Sequence, residues 1–322
     1  WLPPSDPMRP SPRLLTTLVA ACLLVPAVTL AAPFAYVPNE KSGSVSVIDT
    51  ATDSVVQTLP GGQRPRGIAT DGAHLYISEA PSNSLVVVDI GKARQIKSIK
   101  LGESPEGVSV SSDHRLIAAA VEESNSVVLL DARKRRQIAE IKVEGDNPEH
   151  AVFSPDGRWL LVSAENAEQV DVIDVKARRQ VGSIPVGKRP RGIGFTPDGT
   201  RAYVACELAS TVYAIDMVSR KVVAEIKAGT YSNGVAMAPD GSRAYVSNGK
   251  DATVSVIRTS DNQIEATIPV GKRPWNMAVT PDGRKLYVAN GRSNSVTVID
   301  TGRLEAIAEI PVGELPWGVV IQ

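Results

Sequence analysis

Four short apolar runs, separated by turn residues, recur along the chain with a period of about 42 residues. In one copy the runs occupy residues 192–195, 202–204, 212–216 and 222–226, and they are rich in Val, Ile, Tyr and Ala. Short runs of this composition are typical of β-strands. The tripeptide 197–199, Pro-Asp-Gly, predicts a turn between the first two runs, because Pro presets φ and Gly accepts the left-handed conformation. Each copy therefore predicts a meander of four antiparallel strands.

Seven such copies predict a closed ring of sheets. The repeats begin with a second run at residues 34–37 and end with a first run at residues 317–321. One sheet should therefore combine three N-terminal strands with one C-terminal strand, which closes the ring and leaves no free edge. The fold class predicted is all-β, a single seven-bladed β-propeller over residues 32–322, with four antiparallel strands per blade. An open solenoid is the competing arrangement, but the chain lacks capping repeats with polar outer faces.

The N-terminal segment predicts export. Residues 8–31 combine a short basic stretch, the apolar run 14–30 and small residues at the end, as a signal peptide does. The expected location is therefore periplasmic or secreted, and residues 1–7 precede the start expected for translation. A membrane anchor is the alternative, but the apolar run is short for a span. A lipoprotein cleavage site at Cys22 is disfavoured because the sequence after it stays apolar.

Composition narrows the classes of partner. The 322 residues include 35 Lys and Arg and 35 Asp and Glu, with aromatics at 4%. We therefore expect no nucleic-acid partner and no stable membrane insertion of the mature domain, which we expect to be a monomer. Without the signal segment Cys206 is the single cysteine, so no disulfide is expected. Cys206 is predicted to be a half-buried small side chain.

Tetrapeptides of one type occupy the second strand in several copies: Tyr-Val-Pro-Asn at 36–39, Tyr-Val-Ser-Asn at 245–248 and Tyr-Val-Ala-Asn at 287–290. They resemble the YVTN β-propeller repeat, and the resemblance covers the whole mature chain. The opening AYVPNEKSGSVSVIDT, the RPRGI step and the closing PWGVV are similar to exported propellers associated with quinoprotein (PQQ-dependent) alcohol catabolism. The resemblance implies a periplasmic protein partner, such as a quinoprotein dehydrogenase system, or a small ligand. We expect no cofactor in the chain itself.

Function is sought where the copies differ, in the loops that enter the innermost strands. In a closed ring these loops surround one mouth of the central channel, with an acidic sector beside a basic one. An aromatic pair beside guanidinium groups suits a planar carboxylated ligand or a protein anchor. The competing interpretation is that the Trp side chains pack the channel and the charges are solvated. The predicted binding residues are Arg66, Glu106, Glu149, His150, Arg191, Tyr231, Asn233, Trp275 and Trp317.

Three functions remain open. The first is a non-catalytic propeller that binds at the channel mouth. The second is a lactonase-like hydrolase or lyase that uses His150 with Glu149 or Glu106 as acid and base, and Arg191 for developing negative charge. The third is a haem-binding propeller of the d1 type, with His150 as axial ligand. No metal site is expected from the spacing of His and Cys, and no nucleophile-elbow motif is present in the sequence. His74 and His114 are expected to be exposed.

Overall fold

The computed structural model describes residues 1–2 and 33–322. The predicted signal segment 8–31, with Cys22, lies outside the described residues. From residue 33 onward the chain forms seven four-stranded antiparallel sheets, which confirms the predicted seven-bladed β-propeller. One short 3₁₀ helix, Ala80–Ser82, interrupts the strands. Among the described residues no helix is long and apolar enough to cross a membrane.

The strands are numbered β1 to β28 in chain order. Blade 1 contains β1 (Phe34–Asn39), β2 (Ser44–Asp49), β3 (Ser54–Pro60) and the last strand β28 (Val320–Ile321). Blade 2 contains β4 (Pro65–Thr70), β5 (His74–Glu79), β6 (Ser84–Asp89) and β7 (Arg94–Lys100). Blade 3 contains β8 (Pro105–Val110), β9 (Leu116–Val121), β10 (Ser126–Asp131) and β11 (Arg136–Lys142). Blade 4 contains β12 (Pro148–Phe153), β13 (Trp159–Ala164), β14 (Gln169–Asp174) and β15 (Arg179–Pro185).

The remaining three blades follow the same order. Blade 5 contains β16 (Pro190–Phe195), β17 (Arg201–Cys206), β18 (Thr211–Asp216) and β19 (Lys221–Lys227). Blade 6 contains β20 (Ser232–Met237), β21 (Arg243–Asn248), β22 (Thr253–Arg258) and β23 (Gln263–Pro269). Blade 7 contains β24 (Pro274–Val279), β25 (Lys285–Asn290), β26 (Ser295–Asp300) and β27 (Glu305–Pro311).

Burial follows the position of a strand within its blade. The first strands of neighbouring blades contact one another around the central channel. The second and third strands are almost wholly buried, as in β5 and β6, because both of their faces are covered by adjacent blades. The fourth strands, such as β3, are mostly exposed. Their polar residues form the outer wall of the ring.

The third strand ends in Asp in six of the seven blades, and this residue stabilises the turn that follows. Its carboxylate accepts backbone N–H groups two or three residues ahead, as Asp131 does from Lys134 at 2.7 Å and Asp216 from Ser219 at 2.7 Å. Gly199 at the Pro-Asp-Gly turn has a φ of +69°, in the left-handed region. In blade 3 His114 occupies the equivalent position with a φ of +56°.

The ring closes where the sequence predicted. Strand β28 pairs with β1 through Tyr36 opposite Val320 and Ala35 opposite Ile321. Backbone hydrogen bonds extend the pairing towards the channel mouth, with Trp317 N–H donating to the Pro38 carbonyl at 3.0 Å. Val319 is buried in a cluster with residues of blade 7. The C-terminal strand therefore joins blade 7 to blade 1.

Candidate functional site

Seven of the predicted residues line one cavity at the mouth of the channel. The cavity has a volume of about 260 Å³. Each blade contributes the residue that follows the Pro, or the Ser, at the start of its innermost strand. These residues are Arg66, Glu106, Glu149, Arg191, Asn233, Trp275 and Trp317.

Local backbone geometry aims these side chains into the cavity. In blades 2 to 7 the register between the first and second strands shifts immediately after the Pro or Ser, as between Pro190 and Ile193. A shift of this kind turns side chains away from the regular alternation. The residue before the Pro is left-handed in most blades, with φ of +59° at Arg189 and +55° at Arg273. Left-handed backbone is uncommon for non-glycine residues, but here it also recurs at turns away from the mouth, such as the one at Arg178, so it belongs to the geometry of the repeat.

Glycines next to the mouth residues allow the backbones to approach closely. A Cβ on Gly107 would lie 2.8 Å from the Glu149 carbonyl oxygen and 3.0 Å from the His150 Cα. A Cβ on Gly192 would lie 2.5 Å from the Asn233 carbonyl oxygen. The backbones of neighbouring blades are therefore crowded at the axis, and larger residues at these positions would push the blades apart.

A second ring of carboxylates surrounds the cavity, and sequence reasoning did not identify it. It comes from the residue that follows the second strand, which is Glu in four blades and Gly in two. The four residues are Glu40, Glu122, Glu165 and Glu207. The signal was present in the sequence, since this position varies between copies as the mouth position does.

Arg191 lies at the centre of the larger ion-pair network. Its guanidinium contacts Glu149, lies 3.0 Å from Glu207 and lies 3.4 Å from Glu165. Burial alone would lower the pKa of Arg191, but the surrounding carboxylates raise it. The same charges act on Glu149, because Arg191 outweighs burial and holds the pKa of that carboxyl below its usual value. Arg191 is therefore held as a cation between three carboxylates.

The other guanidinium groups are also paired. Arg66 contacts Glu106 and lies 3.1 Å from Glu40, which also contacts Arg64. Arg273 lies 2.6 Å from Glu207. Arg189 contacts Glu165 and lies 3.4 Å from Glu207. The predicted division into an acidic and a basic sector is wrong, because glutamates of the second ring lie among the arginines and pair with them.

Two carboxyls of the mouth are held towards the neutral form. Glu106 is 1% exposed, and burial together with the charge of Glu149 raises its pKa to about 8. Burial and Glu149 likewise raise the pKa of Glu122. Glu122 accepts hydrogen bonds from the Ser104 hydroxyl at 3.0 Å and the Asn147 amide at 2.9 Å. Among the described residues no guanidinium or ammonium group forms an ion pair with Glu122.

His150 lies deeper in the channel than the mouth ring. It lines a smaller cavity of about 110 Å³, together with Trp317 and Asn276. The imidazole and the Trp317 indole are tilted by 42° with their centroids 5.6 Å apart. Burial lowers the pKa of His150, which favours the neutral imidazole. His150 is thus a channel residue, next to the mouth cavity that Trp317 also lines.

One side of the mouth is uncharged and has unused hydrogen-bonding capacity. The Trp275 ring lies against Gly291, where an added Cβ would be 2.7 Å from the indole. Asn233 is only 6% exposed and lines the cavity, yet its side-chain amide has no hydrogen-bond partner among the described residues. Asn233 is not one of the residues with side-chain atoms sealed from solvent without a partner, so its amide opens onto the cavity, where a ligand or water can bond it.

Tyr231 differs from the other predicted residues. It is not among the residues that line the mouth cavity, and instead its ring lies 5.5 Å from the Arg273 guanidinium and 5.6 Å from the Lys250 ammonium. It therefore flanks Arg273. Tyr231 thus lies beside the site and contacts a residue that lines it.

Three carboxylates could together hold a cation. Among the described residues, Glu122, Glu149 and Glu165 each offer an oxygen, and these oxygens all lie within 4.8 Å of one another. Hard divalent cations prefer such oxygen ligands. Arg191 already contacts two of the three, so a metal ion would compete with its guanidinium.

Two smaller predictions need correction. Cys206 is completely buried, not half-buried, and burial raises the pKa of its thiol to about 12. His74 is not exposed: its ring lies 3.2 Å from the Asp71 carboxylate and 2.8 Å from the Arg135 guanidinium. His114 is exposed as predicted. None of these three residues lines the mouth cavity.

Comparisons with known proteins agree on the fold. A family model described as "Lactonase, 7-bladed beta-propeller" matches residues 175–319, which is less than half of the chain. Kuenenia stuttgartiensis hydrazine synthase has a similar structure, with a TM-score of 0.77 and 24% identity over 90% of this chain and 99% of that chain. A functionally unknown protein from Desulfotomaculum acetoxidans DSM 771 gives a TM-score of 0.79 and 16% identity over the same shares. No curated protein matches the sequence.

Proposed function

We propose that this chain is an exported, non-catalytic β-propeller that binds a protein partner or a small ligand at the mouth of its central channel. The observation that carries the proposal is the cavity of about 260 Å³ on which one residue from each of seven blades converges. The strands behind these residues repeat, whereas the seven side chains differ. Side chains that only maintain a repeat are expected to recur in every copy.

The chemistry of the cavity supports recognition. Trp275 and Trp317 present half-buried indoles beside the charged groups of Arg66 and Glu106. Aromatic and arginine side chains in partly desolvated pockets dominate the binding energy of many interfaces. The guanidinium groups are fixed by carboxylates, so the mouth is organised before any ligand arrives.

The proposal also includes a cellular location and a metabolic setting. The signal-like segment 8–31 supports export to the periplasm. The YVTN-type tetrapeptides and the opening and closing segments support a role beside PQQ-dependent (quinoprotein) alcohol catabolism. In that setting the partner is a periplasmic protein of the dehydrogenase system or a small molecule that the system produces.

The test is affinity capture from periplasm with the wild-type chain and the Trp275→Ala, Trp317→Ala double variant as baits. We expect the wild type to retain a partner or ligand that the double variant loses, with mass spectrometry as the readout. The melting temperatures of the two baits should agree within a few degrees, because both indoles are only half-buried.

A matched control removes an indole elsewhere. Trp159 begins β13, at the opposite end from Glu165, and it lies between the Arg158 and Arg220 guanidiniums at 4.5 and 4.1 Å. Trp159→Ala should retain the ligand. Retention by the double variant at the wild-type level would exclude the mouth as the binding site.

A lactonase-like hydrolase or lyase is the second candidate, and two observations favour it. The family model that matches residues 175–319 is a lactonase model. In addition, the raised pKa of Glu106 leaves a protonated carboxyl in the mouth cavity, and the lowered pKa of His150 leaves a neutral imidazole in the adjoining smaller cavity. General acid and base catalysis uses such a pair of groups. Turnover of a panel of lactones, lost in His150→Ala and dependent on pH with a His-like profile, would support this function over simple binding.

A further inference from the structure

We propose that the mouth of the channel selects an organic cation, an ammonium or amidinium group carried on an aromatic or other apolar body. The inference rests on the proposed function, since it names the ligand class of the same cavity. It also reverses the expectation of a carboxylated ligand, because the structure shows what the arginines of the mouth already contact.

The charges of the mouth are the first argument. Each guanidinium group of the mouth is already within 4.0 Å of at least one carboxylate. These groups belong to Arg64, Arg66, Arg189, Arg191 and Arg273. An anionic ligand would have to displace these partners and would meet the remaining carboxylates at close range. Displacing a buried, hydrogen-bonded partner from a charge is costly. The arginines are therefore poorly placed to recruit an anion.

One carboxyl of the mouth lacks a cationic partner in the part of the chain that the structure describes. Glu122 has hydroxyl and amide donors but no guanidinium or ammonium partner among the described residues. Its carboxylate lies near those of Glu149 and Glu165, with oxygens within 4.8 Å of one another. Burial and Glu149 raise the pKa of Glu122, which is the expected response of a carboxylate that lacks a counter-charge. A bound cation would supply that charge.

The uncharged side of the cavity is the independent second argument. The buried Asn233 amide has no partner among the described residues, and its oxygen can accept a hydrogen bond from an ammonium or amidinium N–H. Trp275 and Trp317 line the same cavity. The face of an indole attracts a cation, and the attraction grows when water is excluded. The two sides together fit a charged head and an apolar body.

The aromatic side also distinguishes an organic cation from a bare metal ion. A divalent ion would use the carboxylate oxygens and leave the indoles and the Asn233 amide without a role. An aromatic ammonium ion can use all three at once. A cavity of about 260 Å³ has room for such a molecule.

The experiment measures binding of small probes to the full chain by calorimetry and tryptophan fluorescence. Benzylammonium and benzamidinium are the cations, benzyl alcohol is the neutral control and benzoate is the matched anion. We expect the cations to bind and benzoate not to bind. Glu122→Gln should weaken cation binding by on the order of tenfold, and Trp275→Ala, Trp317→Ala should abolish the fluorescence response.

The matched control is Glu123→Gln, which removes the same charge from an exposed neighbour outside the cavity. It should bind the cations within about twofold of wild type. Preference for benzoate, binding of neither cation, binding of Ca²⁺ or Mn²⁺ without the organic cations, or equal losses in Glu122→Gln and Glu123→Gln would each overturn the inference.

These outcomes separate the inference from the proposed function. Benzoate binding that disappears in the double Trp variant would overturn the cation class and leave the mouth as the binding site. Capture of the same periplasmic partner by wild type and by the double Trp variant would instead exclude the mouth itself.

Discussion

Gly107 illustrates how single residues set the geometry of the mouth. It follows Glu106, and its missing side chain leaves room for the backbone of Glu149 and for His150 in the next blade. The backbone of Gly107 is not left-handed. Glycine is therefore needed at this position because the two blades approach closely, and not because of its φ angle. The close approach of the chain after Glu106 to Glu149 and His150 therefore depends on the absence of a methyl group at Gly107.

Gly107→Ala should destabilise the fold by about 1–3 kcal/mol, because the added Cβ would lie 2.8 Å from the Glu149 carbonyl oxygen. Urea unfolding is the measurement. The control is Gly182→Ala in β15, where an added Cβ has nothing within 4 Å, so its effect should be neutral or slightly stabilising. Equal effects of the two substitutions would argue against crowding at the axis.

Glu106 should make stability depend on pH. Its folded-state pKa of about 8 lies above the ordinary value of 4.5, so the folded chain holds a proton that the unfolded chain releases. The contribution of Glu106 to the free energy of unfolding is therefore fully present below about pH 4.5 and is lost as pH rises through about 8. Arg66 also lies 3.1 Å from Glu40, so it has a second carboxyl neighbour besides Glu106.

We expect Glu106→Gln to flatten that pH dependence by up to about 1.4 kcal/mol per pH unit between the two pKa values, because Gln cannot ionise. The measurement is the urea midpoint at a series of pH values, compared between wild type and variant. Glu123→Gln, at an exposed position, should keep the wild-type slope. Parallel curves for wild type and Glu106→Gln would contradict the raised pKa.

At the scale of one element, the Asn that ends the second strand ties that strand to the next. Asn248 donates from its side-chain amide to the hydroxyls of Thr253 at 3.0 Å and Ser255 at 2.9 Å. Asn39 and Asn290 make equivalent bonds in blades 1 and 7. In these three blades the Asn that ends the recurring tetrapeptide is thus explained by the hydrogen bonds that its amide donates to the next strand. Blade 5 has Cys206 at this position and lacks the bridge.

Asn290→Ala should cost about 1–3 kcal/mol, because it leaves the buried hydroxyls of Ser295 and Thr297 without their amide donor. Cys206→Ala is the comparison at the same position of blade 5, where no amide bridge exists to be lost. It should cost less than Asn290→Ala, as measured by urea unfolding. A larger loss for Cys206→Ala would mean that packing, not the amide bridge, stabilises this corner.

The fold was predictable from the sequence because one pattern recurs, whereas the site was predictable only in part. Comparing copies identified Trp275 and Arg191 at the mouth, since those positions vary while the strands do not. Most of the ion pairs of the second-ring glutamates join two blades, although Glu207 also pairs with Arg191 of its own blade at 3.0 Å. Glu207 meets Arg273, which lies 66 residues further along the chain. Spacing within one repeat cannot indicate a contact between two different blades. Without such contacts, the sequence suggested an acidic sector and a separate basic sector, which the structure does not have.

At the scale of the whole molecule, stability depends on closing the ring. Strand β28 is only two residues long, yet it supplies the innermost strand of blade 1. Without it β1 would expose an unpaired edge, and the cluster that contains Val319 would open to water. The flanking segment also places Trp317 at the mouth, so closure of the ring and completion of the cavity depend on the same residues.

Deleting residues 316–322 should therefore destabilise all seven blades together. We expect one cooperative transition at a much lower temperature, or no folded protein, since each blade covers the apolar face of its neighbour. Thermal unfolding followed by circular dichroism and calorimetry is the measurement. Deletion of Gln322 alone is the control: it removes one terminal backbone pair with Phe34 but keeps β28, so its midpoint should fall only slightly. If the longer deletion melted like the full chain, or if blade 1 alone were lost in a separate transition, the pairing of β1 with β28 would be dispensable for the ring.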